Sequence, residues 1–374
     1  MKTVVNAKLI VDDHIIEGKY LLFDKTIIAI SDELPSGNID IIDAQGRYVS
    51  PGFIDIHIHG SGGADVMDAT PEALQTISSA LLQTGTTAYL ATTMTMSETA
   101  IDAALENVKT VSGQIEGAKI LGVHLEGPFL NPEKHGAQDR KYIKDADLSL
   151  IEPYIDQVRM ITVAPEMPGA EHFIRYLSEN HPRIVLSIGH SDADFEQSKE
   201  SFAWGVSHAT HLFNAMNPYH HRKPGIVGAV FDSEITCDII ADLVHTHPSV
   251  LKLVHRIKGD RVMLITDAMR AGCMKNGMYD LGGRKVTVEK GRATLEDGTL
   301  AGSVLKMNEA LRNMTSVSDM TRIQAVNAVT KIPARKLGLQ MGELKEGYAA
   351  DIVIFDEDFS IITTIIDGEV KYKG

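Results

Sequence analysis

The sequence predicts an α/β protein in which a (β/α)8 TIM-like barrel, residues 51–340, carries a small β-sandwich made from residues 1–50 and 341–374. Three observations predict it. Both ends of the chain read as short apolar strands broken by polar turns. The middle repeats a strand, a polar or glycine-rich loop and a helical stretch, and metal-competent side chains recur where those strands end. An open doubly wound sheet fits less well, because no GxGxxG sequence follows the first strand of the repeat.

At the amino end the apolar runs are Thr3-Val4-Val5, Lys8-Leu9-Ile10-Val11, Tyr20-Leu21-Leu22-Phe23 and Thr26–Ile30, separated by turns such as Glu17-Gly18-Lys19. The carboxyl end has the same texture. Ala350–Phe355, Ile361–Ile366 and Glu369–Tyr372 read as strands, the last two joined by an Asp367-Gly368 hairpin turn. In between, eight strands are expected: Phe53–His59, Ala88–Thr92, Ile120–Glu126, Met160–Ala164, Ile184–Ile188, Gly205–Thr210, Thr236–Ala241 and Val262–Asp267. Helices at Pro71–Thr84 and Ser97–Val111 separate the first three, with Thr70 and Ser97 as N-caps. Segment 277–302 is glycine-rich and β-like, which predicts a hairpin excursion after the eighth strand.

The chain has 374 residues, 44% of them hydrophobic and 23% charged, enough to bury one large core and a satellite. Its formal net charge of −14 disfavours nucleic acid or an anionic membrane as a partner, while a small anionic substrate needs only a few local donors. Only Cys237 and Cys273 are present, so no disulfide framework is expected. Asp12 and Asp13 interrupt the amino terminus before a signal-peptide core could form, and no apolar run reaches membrane-spanning length. The expectation is a cytoplasmic protein.

The most informative stretch is Pro51–Gly60. As a strand it puts Ile54, Ile56 and Ile58 on one face and Phe53, Asp55, His57 and His59 on the other. Two imidazoles then point the same way from a rigid element, as a divalent metal requires. Barrels of this kind gather their chemistry at the carboxyl ends of the strands. Those ends supply His57 and His59, then Glu126, His190, His211, His245 and Asp267. A His and carboxylate set without thiolate suits zinc or iron(II), with manganese or cobalt also compatible, one or two ions per subunit. No cysteine cluster closes the shell, so the metal is expected to be catalytic. His124 shares a face with Glu126 one layer below and reads as a core or supporting histidine; Asp267 could instead cap a helix starting at Ala268-Met269.

These motifs, in order, resemble the N-acetylglucosamine-6-phosphate deacetylases of the amidohydrolase superfamily. The resemblance rests on Pro51–Gly60 with Asp65-Val66-Met67-Asp68, then His124-Leu125-Glu126-Gly127-Pro128-Phe129, Gly189-His190-Ser191, His208–Met216, Thr266-Asp267-Ala268 and Leu300-Ala301-Gly302-Ser303, and spans about residues 5 to 370. It implies that Glu126, His190 and His211 hold the main metal, that His57, His59 and Asp267 sit beside it, and that Glu126 can bridge to a second ion. It also implies Asp267 as general base and then acid, and His245 as the group polarising the acetamide carbonyl.

For the substrate phosphate, the resemblance points to Asn214 and Ala215, where backbone N–H groups opening a helix can bind an anion, and to Arg222 in the basic stretch His220–Lys223. The alternative for that stretch is a solvated loop. Gln138 stands where many relatives place a histidine; it can hydrogen-bond phosphate but brings no charge. A homodimer is expected if Arg222 or Gln138 completes a neighbour's site. Two other readings remain open at this point: a related deaminase or cyclic-amide hydrolase, and a barrel that has become a non-catalytic binding subunit.

Overall fold

The computed structural model describes residues 1–34 and 36–374. Eight parallel strands lie side by side in chain order: Phe53–Ile58, Thr86–Thr93, Lys119–Glu126, Val158–Val163, Val185–Ile188, His208–Ala209, Thr236–Ile240 and Val262–Ile265. Helices cover the outside, so these strands are buried on both faces, as parallel sheets are. The first and last strands meet at a seam rather than along a ladder. There the Asp267 N–H donates to His57 O at 2.9 Å, and the Thr266 hydroxyl donates to Asp55 Oδ2 at 2.6 Å.

Thr70 and Ser97 cap their helices as expected, accepting from the amides of Ala73 and Ala100. The helix Glu98–Val111 buries Ile101, Ala104, Leu105, Val108 and Val111, a stripe at helical spacing against the barrel wall. The first helix proper stops at Leu81, and its last turn, Leu82–Thr84, tightens to a 3-10 helix.

Two strands are shorter than the sequence predicts by two residues or more. The sixth is only His208–Ala209, because Gly205 closes the preceding helix Phe195–Trp204 at φ +131, where a Cβ would lie 2.3 Å from Ser178 Oγ. The eighth stops at Ile265, because Asp267 turns into the left-handed region at φ +48. No helix begins at Ala268-Met269, so Asp267 is not a helix cap.

The termini build two sheets. One is four-stranded, in the order Ile27–Ser31, Tyr20–Phe23, Lys2–Val5, Asp40–Asp43. The other is six-stranded, in the order Glu369–Lys373, Ile361–Ile366, Ile352–Phe355, Tyr48–Pro51, Lys8–Val11, His14–Ile16. They pack face to face through Val4, Leu21, Phe23 and Ile27 on one side and Leu9, Val49, Ile352 and Ile354 on the other. Strand alternation sends Val353 and Phe355 the opposite way, into the barrel's core.

After the eighth strand, Gly277–Leu281, Arg284–Glu289 and Arg292–Thr294 form the expected excursion as a three-stranded antiparallel sheet. It has its own core of Leu281, Val286, Val288 and Ala293, closed against Met94 and Met269. Among the described residues no helix is long and apolar enough to cross a membrane.

Barrel and sandwich are joined by an ion cluster. The Lys119 ammonium, at the start of the third barrel strand, lies 2.9 Å from the buried Asp351 carboxylate and 2.6 Å from Asp367 in the hairpin turn. Replacing Lys119 by Met should leave Asp351 without its cation and destabilise the fold by about 2 kcal/mol, part of the penalty being relieved by solvent at the half-exposed lysine. Denaturant unfolding checks this: a shift of the midpoint is expected, with turnover per folded molecule unchanged.

Candidate active site

The carboxyl ends of the strands converge on Glu126, the last residue of the third. Its Oε1 lies 2.9 Å from His211 Nε2, 3.2 Å from His190 Nε2 and 3.4 Å from His57 Nε2; its Oε2 lies 3.2 Å from His59 Nε2. Asp267 Oδ1 completes the group at 3.2 Å from His59 Nε2 and 3.5 Å from His57 Nε2. All six side chains are buried. His57, His59 and Glu126 form one set of ligand atoms close enough to share an ion, and Glu126, His190 and His211 form a second.

Each side chain is aimed by local structure. Gly60 follows His59 because a Cβ there would sit 2.3 Å from Ala64 O, against the returning chain. His190, His211 and Asp267 all have left-handed backbones, at φ +49, +30 and +48, so the chain bends sharply just past the strands that carry them. His211 is pinned by the buried Asp238, which accepts its N–H and also bonds His208 Nε2 at 2.8 Å. Asp267 is held by its N–H to His57 O, and its carbonyl accepts from Ser303 N at 2.7 Å. Ser303 Oγ donates in turn to Thr266 O. His59 Nδ1 faces Thr92 O at 3.3 Å and His190 Nδ1 faces Lys134 O at 2.8 Å. A carbonyl only accepts, so both Nδ1 atoms carry the hydrogen and both Nε2 lone pairs face the centre.

That arrangement fits a divalent cation. His57 Nε2 and His59 Nε2 are 3.3 Å apart, and four imidazoles and two carboxylates crowd one buried point with no Lys or Arg among the described lining residues. Without a cation, protons must do its work. Burial opposes charge on Glu126, yet the field of His57 and hydrogen bonds from His190 and His211 hold its carboxyl well below the usual value. Burial likewise disfavours protonated His59 and His211. Hydrogen bonds to Asp267 and Glu126 outweigh it for His59, and the Glu126 bond pushes His211 up to about 9.

His124 is a supporting residue, as its register suggests. Its Nδ1 meets Ile56 O at 3.0 Å, its Nε2 meets Thr162 Oγ1 at 2.7 Å, and its ring packs edge-on against His57 at 4.6 Å between centroids. Burial and the neighbouring His57 drive its pKa well below the ordinary value, so it stays neutral.

A cavity of about 250 Å³ opens over the cluster, lined also by Asn214, Ala215, His245 and Gln138. His245 Nδ1 lies 2.7 Å from Asp242 Oδ2, a partner the sequence reading missed although a carboxylate three residues before a histidine in a turn was the available signal. Met94, Leu281 and Thr299 were missed as well, and Leu300, read only as part of a motif, was missed as a lining residue; Met94, Leu281 and Leu300 form an apolar wall supplied by the second strand's loop and by the excursion. No local pattern marks them, since only the packing of the excursion over the barrel brings them there.

Three expectations change. Asn214 and Ala215 do not open a helix. Residues 210–215 form successive turns with Phe213 and Ala215 at positive φ, and the next helix starts at Gly225. The Asn214 amide is spent on His211 O at 2.8 Å, so this site has no helix dipole to offer an anion. Gln138 is not turned toward a phosphate. Its Oε1 accepts from Thr95 N and its Nε2 donates to Glu126 Oε2, both at 2.7 Å, and it is buried. Arg222 lies outside the cavity, exposed, bonded to His221 and lining an adjacent cleft with Asp194 and Asn217.

The fold and this cluster define a metal-dependent hydrolase of the amidohydrolase type, and comparison with known proteins agrees. The profile of the Amidohydrolase family matches residues 48–371. An N-acetylglucosamine-6-phosphate deacetylase of Lysinibacillus sphaericus is 40% identical over 94% of this chain and 92% of its own. The crystal structure of the N-acetylglucosamine-6-phosphate deacetylase of Pasteurella multocida superposes with a TM-score of 0.95 at 30% identity, covering all of both chains. A mutant of the Mycobacterium smegmatis enzyme, solved in complex with N-acetyl-D-glucosamine-6-phosphate, superposes with a TM-score of 0.91 at 29% identity, over 100% of this chain and 99% of its own. The chain belongs to the amidohydrolase family, in its N-acetylglucosamine-6-phosphate deacetylase branch.

Protons and metal compete for this cluster. In metal-stripped protein His211 titrates at about 9 against an ordinary 6.5, so its contribution to stability is complete below pH 6.5 and disappears as the pH rises through 9. A cation needs that nitrogen free, so Zn²⁺ affinity should weaken on acidification below pH 9, by about tenfold per pH unit for each proton displaced. Calorimetric titration in buffers of different ionisation enthalpy should detect the released protons. The His211→Asn protein should release one fewer.

Proposed function

We propose that this chain hydrolyses N-acetyl-D-glucosamine 6-phosphate to D-glucosamine 6-phosphate and acetate, a step of amino-sugar catabolism or recycling. The observation that carries the proposal is the placing of Asp267 and His245 on one cavity with the Glu126 and histidine cluster, in a chain so close to known deacetylases of this substrate. The catalytic unit is the barrel, residues 51–340; residues 1–50 and 341–374 form its supporting sandwich.

Glu126, His190 and His211 would hold a divalent cation, with His57 and His59 beside it, and such an ion would supply Lewis acidity toward the acetamide carbonyl and lower the pKa of water to about 7. Zinc or iron(II) best suits the donor set, with manganese or cobalt also compatible. Asp267 takes a proton from the attacking water as its oxygen bonds the carbonyl carbon. It returns that proton to the nitrogen as the C–N bond breaks. His245 faces the carbonyl oxygen through Nε2–H. Its Nδ1 lies 2.7 Å from Asp242 Oδ2, a contact that orients the ring with Nε2 toward the carbonyl oxygen.

The phosphate end needs positive charge that the described lining of the cavity lacks. Arg222, exposed on the neighbouring cleft, is suited to supply it to a second copy of the chain, which makes the protein a homodimer. Two free cysteines support a cytoplasmic location.

Release of acetate from N-acetylglucosamine 6-phosphate, with metal analysis on the same sample, tests the activity; equal turnover of unphosphorylated N-acetylglucosamine would overturn the phosphate assignment and favour a different amidohydrolase. Asp267→Asn should keep its metal yet lose about 10²–10⁴ in kcat. His245→Asn should lose about 10²–10³ with a smaller change in KM. Coexpressed Arg222→Ala and Asp267→Asn chains should regain activity that neither shows alone, because one mixed site then has both residues. Absence of recovery would place Arg222 on its own chain's site or outside catalysis.

A further inference from the structure

Gln138 stands next to the cluster but makes no use of the substrate cavity that a polar residue there would be expected to make. Its amide orientation is not ambiguous. The Thr95 N–H can only donate, so the atom 2.7 Å from it is the Gln138 oxygen, and the nitrogen must be the atom 2.7 Å from Glu126 Oε2. The residue's own backbone is tied down as well. Gln138 N donates to His135 O at 2.9 Å, and His135 Nδ1 reaches back to Gln138 O at 3.1 Å.

This fixed donor makes the two oxygens of Glu126 unequal. Oε1 faces three imidazole nitrogens, those of His211, His190 and His57. Oε2 faces one, His59, and already accepts from an amide. A carboxylate that is to serve two cation sites must give an oxygen to each, and the hydrogen bond draws electron density from the one nearer His59. It also locks the carboxylate rotation that keeps Oε1 on the His190–His211 side.

We propose that Gln138 is a positioning residue that sets the order of metal affinity, making the Glu126–His190–His211 site the tight one and the His57–His59 site the weak one. Both effects of losing it run the same way: the tight site loses its orientation and the weak site gains a freer oxygen. This rests on the metal-centre reading above and deepens it.

The test is titration of the metal-stripped full-length protein with cobalt(II), following visible absorption and heat for two dissociation constants. In the native protein the second should be well separated from the first. In Gln138→Met the ratio of the two should shrink by about 10–100-fold, the range seen when a partner of a ligating group is removed. Gln138→Glu keeps the acceptor for Thr95 but loses the donated hydrogen at neutral pH, and should shrink the ratio in the same direction; it decides the matter if the Met protein does not fold. Gln138→His, which can donate again, should restore the separation. A ratio within twofold of the native value in the folded variant overturns the proposal while leaving the metal centre standing. Failure of the native protein to bind cobalt at all overturns both.

Discussion

The Glu126 carboxylate is the constraint around which the rest of the molecule is arranged. It is a buried anion whose neighbours are four imidazoles from three strand ends and one further carboxylate. Such a charge is costly inside a protein unless it is paired on every side. The barrel makes that pairing possible because eight short parallel strands end at one rim, so residues 57, 126, 190, 211 and 267 arrive within a few ångströms despite 210 residues of separation. Stability and chemistry are coupled here. The cluster is a liability as bare protein and an asset once a cation is shared.

The seam between first and eighth strands shows how this is held. Asp55, Thr266 and Ser303 are linked by hydrogen bonds that fix Asp267 in a left-handed turn beside His57. Similar devices, Asp238 behind His211 and backbone carbonyls behind His59 and His190, lie one layer further out. The strained turns sit where the site needs side chains to leave the strands at unusual angles, and the surrounding buried bonds pay for that strain. The sandwich adds a second support: its six-stranded sheet turns one face to its own core and the other to the barrel.

Much of this was legible in the residues. The alternation in Pro51–Gly60 and in Ile120–Glu126 placed His57, His59 and Glu126 on inward faces, because strand period is a local property of the backbone. Thr70 and Ser97 were readable as caps for the same reason. The Asn214–Ala215 turn was not, since a helix start and a run of left-handed turns have similar local composition. Nor was Gln138: its burial against Thr95 and Glu126 depends on how a loop folds back over the barrel, and a glutamine side chain can face solvent, phosphate or carboxylate equally well.

The sequence by itself determined the repeat of strands and helices, the β character of both termini and the identity of the groups able to bind a cation, all consequences of periodicity and side-chain chemistry. Only the tertiary structure decided which atoms meet. It put Asp242 behind His245, set the excursion's Leu281 and Leu300 as a wall of the cavity, and left Arg222 outside it. Those outcomes depend on long-range packing, where one loop's position is chosen by surfaces far away in the chain, and no local pattern of residues encodes that choice.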